Sequence, residues 1–117
     1  MNTLYKTDGK LYLNEYMKLD LTANRVLNML ISIMVEDTNL VSLSKTKLLK
    51  IIEYTGYTES TIRKALVRLN KSGLAERTNK RGQYIINPAF AVKGEESHIW
   101  FIYSKVEIKL KTLRETR

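Results

Sequence analysis

SKTKLLKIIEYTGYTESTIRKALVRLNKSGLAERTNKRGQYIINP, running from Ser44 to Pro88, changes its hydrophobic period part-way and so sets the architecture. From Lys45 to about Tyr54 the apolar residues Leu48, Leu49, Ile51 and Ile52 suit a helix with one buried side. Ser44 can cap it, and Gly56 suits the left-handed position at its end. Thr58 caps a second helix, from Glu59 to about Ser72, closed by Gly73. Inside it Ile62, Ala65, Leu66 and Leu69 share one face at i, i+3, i+4, i+7 spacing. Beyond Gly73 the helical period stops. Leu74–Thr78 reads as a strand, Asn79-Lys80-Arg81-Gly82 as a turn, and Gln83–Asn87 as a second strand ended by Pro88.

The flanks are less sharply patterned. Residues 1–10 read as a flexible lead-in, and Lys10–Leu13 as a short strand. Thr22 is the expected N-cap of a helix from Ala23 to Glu36, with polar residues every fourth position at Asn24, Asn28, Ser32 and Glu36. Nearly everything else in it is apolar, so it is either the central core helix or both core and dimer interface. Leu40–Leu43 is a short apolar strand, and residues 89–97 read as a connection. From His98 to Arg117, Ile99, Ile102, Val106, Leu110 and Leu113 keep a roughly helical spacing. Val106, Ile108 and Leu110 also alternate as a strand would; the helix is preferred. The division expected is a lead-in (1–10), a domain (11–94) and a helical C-terminal arm available for dimerisation (95–117).

Composition narrows the chemistry. The chain has 117 residues, enough for one core but not for a Rossmann enzyme with a substrate domain. It has no Cys and a single His, His98, which argues against thiolate zinc sites, cysteine nucleophiles and a Ser–His relay. No apolar run reaches the ~20 residues of a membrane span. A soluble cytoplasmic protein is expected, with no enzymatic activity, cofactor, metal or small-molecule ligand. The net charge is +8, and +5 of it falls in residues 58–82, where Arg63, Lys64, Arg68, Lys71, Arg77, Lys80 and Arg81 face only Glu59 and Glu76. Such local excess points to a polyanion.

Helix, short strand, helix, tight turn, helix and basic hairpin is the order of a winged helix-turn-helix, a mainly α fold with a small β-hairpin. Its second helix enters the major groove of DNA, and its first turns meet base edges. The expected recognition residues are Thr58, Glu59, Ser60, Thr61, Arg63, Lys64 and Arg68. Arg63 and Lys64 can donate to guanine, Glu59 can accept from cytosine, and Ser60 and Thr61 can serve bases or phosphates. Lys45 and Lys47 at the start of the preceding helix, Lys71, and the hairpin residues Arg77, Asn79, Lys80 and Arg81 are the expected phosphate and wing contacts. Partners expected are double-stranded DNA and a second copy of the chain.

From Leu43 to Gly94, the helix-turn-helix followed by GLAERTNKRGQYIINPAFAVKG (Gly73–Gly94) resembles the winged-helix core of the RepL-type plasmid replication proteins of Gram-positive bacteria. The second wing strand there runs into an Asn-Pro pair followed shortly by Lys-Gly, here Asn87-Pro88 and Lys93-Gly94. KALVRLNKSGLAER, Lys64–Arg77, is similar too but generic to winged helices. The resemblance spans a little under half of the chain, and family members are usually longer. It implies binding at a plasmid or phage origin and initiation of replication through host replication proteins, without catalysis. A transcriptional repressor or copy-number regulator on the same scaffold is the alternative. A winged helix used for protein–protein interaction is a second.

Overall fold

A computed structural model describes residues 3–6 and 18–116. The expected strand Lys10–Leu13 lies outside them. In chain order the described elements are β1 (Thr3–Lys6), α1 (Leu21–Ile33), β2 (Leu40–Ser42), α2 (Lys45–Thr55), α3 (Glu59–Ser72), β3 (Ala75–Arg77), β4 (Gln83–Ile86), β5 (Ala91–Gly94), a 3-10 turn (Glu96–His98) and α4 (Ile99–Glu115). The molecule is mainly helical, with an antiparallel three-stranded sheet in the order β2-β4-β3 and an antiparallel pair β1-β5.

Alternation in β4 splits the core in two. Tyr84 and Ile86 face the main core with Val41, Ala75 and the buried sides of α1, α2 and α3. Ile85 faces the opposite way, onto Ile99, Ile102, Val106, Leu110 and Leu113 of α4. The tail is therefore a helix, and its apolar stripe is buried against the sheet and Val92 of β5. Glu76 of β3 points to this same side and is almost fully buried. It accepts from Arg114 Nε at 3.2 and 2.9 Å, and from the Arg114 terminal nitrogen, which fixes the end of α4 to the hairpin.

α1 is the central helix. Ala23, Val26, Leu27, Leu30 and Ile31 are buried, and Met29 and Ile33, partly buried, pack on the same core. Its bounds differ from expectation at both ends. Asp20, not Thr22, is the N-cap, and its carboxylate accepts from Ala23 N at 2.8 Å. The same carboxylate pairs with Arg68 of α3, a tie that Thr22 could not supply. The helix stops at Ile33 rather than Glu36 because the chain must turn back into β2. Asp37 and Asn39 take positive φ there, and Val35 bridges to Leu40. Lys93 of β5 closes the helix end, its ammonium donating to Ser32 O at 3.1 Å and Met34 O at 3.0 Å.

Two strands went unread. β5 occupies part of the expected connection 89–97, and β1 lies within the expected lead-in. They pair with each other, Thr3 opposite Gly94 and Lys6 opposite Ala91. Side chains join β5 to the rest. Buried Asn39 donates from Nδ2 to Ile86 O at 2.9 Å and Ala91 O at 2.7 Å. Asn87 donates to Gly73 O at 3.0 Å and accepts from Ala89 N at 2.9 Å.

Candidate nucleic-acid interface

Local sequence builds the basic face as expected. Ser44 caps α2 by accepting from Lys47 N at 3.2 Å. Gly56 at φ 75° ends α2, a left-handed conformation that suits a residue without Cβ. Three residues later α3 begins under its Thr58 cap, whose hydroxyl oxygen accepts from Thr61 N at 3.2 Å. Ile62, Ala65, Leu66 and Leu69 are buried, so Ser60, Arg63, Lys64, Val67 and Lys71 project outward.

The hairpin stands beside this face. Thr78 N donates to Gln83 O at 2.9 Å, and Leu43 N donates to Gly82 O at 2.8 Å. The second bond sets the start of α2, with Lys45 and Lys47, next to the hairpin tip. Arg77 and Tyr84 are paired across the strands and share the side facing α3. Between α3 and the hairpin runs a groove of about 660 Å³, whose cationic lining is Arg63, Lys71, Arg77 and Arg81, with no acid among the lining residues. Its remaining wall includes exposed Val67, which helical spacing alone sets on the outward face but which is not among the expected contacts, and half-buried Asn70. Only a known angle between helix and hairpin could have placed Asn70 in the groove.

The expected residues divide by occupation. Thr58 and Thr61 bond to each other, hydroxyl to hydroxyl at 2.9 Å, and serve the helix start. Glu59 and Arg63 form an i,i+4 pair at 3.5 Å, both well exposed, which costs little to open. Arg68 is tied to Asp20 and sits on the α1 side of α3, away from the groove. Lys64 lines the same pocket and, like Arg68, is exposed. Asn79 and Lys80 do not line this groove; they turn toward α4.

The family model for the Firmicute plasmid replication protein RepL matches residues 6–116. The chain belongs to the RepL family. The match takes in α1 and α4 as well as the hairpin, far more than the stretch carrying the sequence resemblance. Neither curated proteins nor solved structures give a match. The protein is thus related to plasmid replication. Among the described residues of this RepL-family chain, no helix is long and apolar enough to cross a membrane.

The structure also gives the resembling residues their work. Asn87 joins the end of α3 to the turn before β5. Lys93 caps α1. A Cβ on Gly94 would collide with Ile102 Cδ1 and stand 2.7 Å from Asp37 Oδ1, so glycine here lets α4 approach β5. These residues hold the basic groove in shape and line none of it.

Proposed function

We propose that the chain is a winged helix-turn-helix protein that binds a double-stranded DNA site in a plasmid origin and starts replication by recruiting host replication proteins, without catalysis of its own. One observation carries this reading: the outward face of α3 and the hairpin share an acid-free groove lined by Arg63, Lys71, Arg77 and Arg81. An α3 seated in the major groove would bring Ser60, Arg63 and Lys64 to base edges, with Val67 against a thymine methyl. Lys71, Arg77 and Arg81 then meet phosphate, as do Lys45 and Lys47. Arg68, held by Asp20, acts in positioning α3 on α1 rather than in reading bases. RepL membership supplies the plasmid context.

Selection from a random duplex pool tests the binding, and an origin plasmid lacking its own replication gene tests the role. The expected outcome is a sequence bound ~10³-fold or more above scrambled DNA, carried by the origin, and plasmid maintenance only when the protein is supplied in trans. Specific binding without maintenance would replace initiation by regulation of transcription or copy number. Absence of duplex binding would overturn the reading.

A further inference from the structure

The hairpin tip is bordered by two grooves. Arg81 lines the one facing α3. Its neighbour Lys80 lines another, of about 490 Å³, between the tip and α4. The second groove is floored by Leu40, Ile85 and Leu113, and rimmed by Asn79, Lys80 and Lys109, with no acid among its lining residues. Gln83 also lines it; its Oε1 accepts from Thr78 at 2.8 Å, so its amide nitrogen is the end that remains to donate. The Glu76–Arg114 pair fixes α4 against the hairpin, so the groove has rigid walls.

Two channels, each with basic residues and no acid in its lining, flank the basic tip and suit the two backbones that border a groove of duplex DNA. The minor groove is about 6 Å wide and is bounded by two phosphodiester backbones. With the tip in the minor groove, the usual place of a wing, we propose that one backbone lies in each channel, so that Lys109 of α4, with Lys80, binds phosphates of the strand that the α3 side does not reach. This assigns α4 a nucleic-acid contact that its sequence did not suggest, and it rests on the duplex-binding reading above.

The test is a pair of charge-matched substitutions, Lys109→Gln and Lys111→Gln. Both residues are exposed, but they lie two positions apart on α4, about 200° around the helix, and Lys111 does not line the groove. Binding of the selected duplex, and of a single strand of equal length, is measured across a salt series with hydroxyl-radical footprinting. The expected result is that Lys109→Gln lowers the salt slope for the duplex by about 0.9 and removes one patch of protection on one strand, while Lys111→Gln changes neither. Equal effects of the two substitutions would mean undirected charge, and no effect of either would mean that the groove is empty of DNA; each overturns the proposal. So would a loss confined to the single strand. A wild-type protein without duplex binding would instead remove the reading beneath it.

Discussion

Replacing Asn87 separates a scaffold role from a DNA contact. The side chain is 4% exposed and makes two hydrogen bonds, to Gly73 O at 3.0 Å and from Ala89 N at 2.9 Å. Asn87→Ala removes both hydrogen bonds from a largely enclosed site. Losing one side of a buried hydrogen bond costs about 1–3 kcal/mol; since Gly73 and Ala89 are only half-buried, about 2.5 kcal/mol for the two bonds is expected. Unfolding entropy near ~2.1 cal/mol/K per residue, over 117 residues, makes each kcal/mol worth about 4 °C. Thermal denaturation followed by circular dichroism should therefore show a Tm lowered by about 10 °C. Well below the new Tm, the slope of log K against log salt should match wild type, because no phosphate contact is lost. Asn87→Asp keeps the acceptor for Ala89 but sets a carboxylate against the Gly73 carbonyl, so it should be no better. A Tm within about 3 °C of wild type, or a reduced salt slope with Tm intact, would refute the scaffold assignment.

Lys93→Met removes the two bonds that close α1 and should lower Tm by several degrees, again with the salt slope unchanged; a lost slope and an unchanged Tm would make Lys93 a DNA contact. Arg63→Ala should weaken cognate binding by about 1–3 kcal/mol and relax one base position, whereas Lys80→Ala should weaken all sequences alike and lower the salt slope by about one unit. Competition between cognate and random duplexes distinguishes the two. Deoxyuridine in place of thymine at one position should weaken wild-type binding and leave Val67→Ala indifferent; equal sensitivity of both proteins would remove Val67 from the base-reading face.

Legibility followed the range of the forces involved. The elements from Ser44 to Ile86 were readable because their signals are local. A hydroxyl cap, a glycine at positive φ and a run of i+3/i+4 apolar positions are each set within a few residues. What escaped depends on partners far along the chain. Ala-Val-Lys-Gly has no alternation to mark it, and β5 exists because β1, about ninety positions earlier, completes its ladder. Asp20 outdid Thr22 as a cap through Arg68, 48 positions away. The same distance dependence reshaped the candidate site. Charge and spacing identified the basic helix and hairpin, but an equally exposed-looking Arg68 was already bound, and Lys109 met the hairpin only once α4 had folded back over the sheet.

That folding back bears on the expected homodimer. Its arguments are surplus apolar surface on α1 and on the tail, and the fit of a two-fold reader to paired half-sites. Most of the first is buried within one chain, α1 between α2 and α3 and the apolar stripe of α4 on the sheet, although Leu21 of α1 and Val35 beyond it stay exposed. The described surface of α4 retains Trp100, Phe101 and Ile108, 74%, 70% and 66% exposed. Two aromatic side chains of about 150–250 Å² each, plus one isoleucine, offer on the order of 400 Å². A stable interface needs about 800 Å² per partner. The net charge of +8 opposes self-association further, and DNA would screen it. The chain alone should therefore sediment as a monomer at micromolar concentration, and two copies should assemble only on a duplex carrying paired half-sites. A tight dimer without DNA, abolished by Trp100→Ser with Phe101→Ser, would refute this and make that patch the interface. A DNA-free dimer insensitive to those substitutions would refute it equally and place the contact elsewhere.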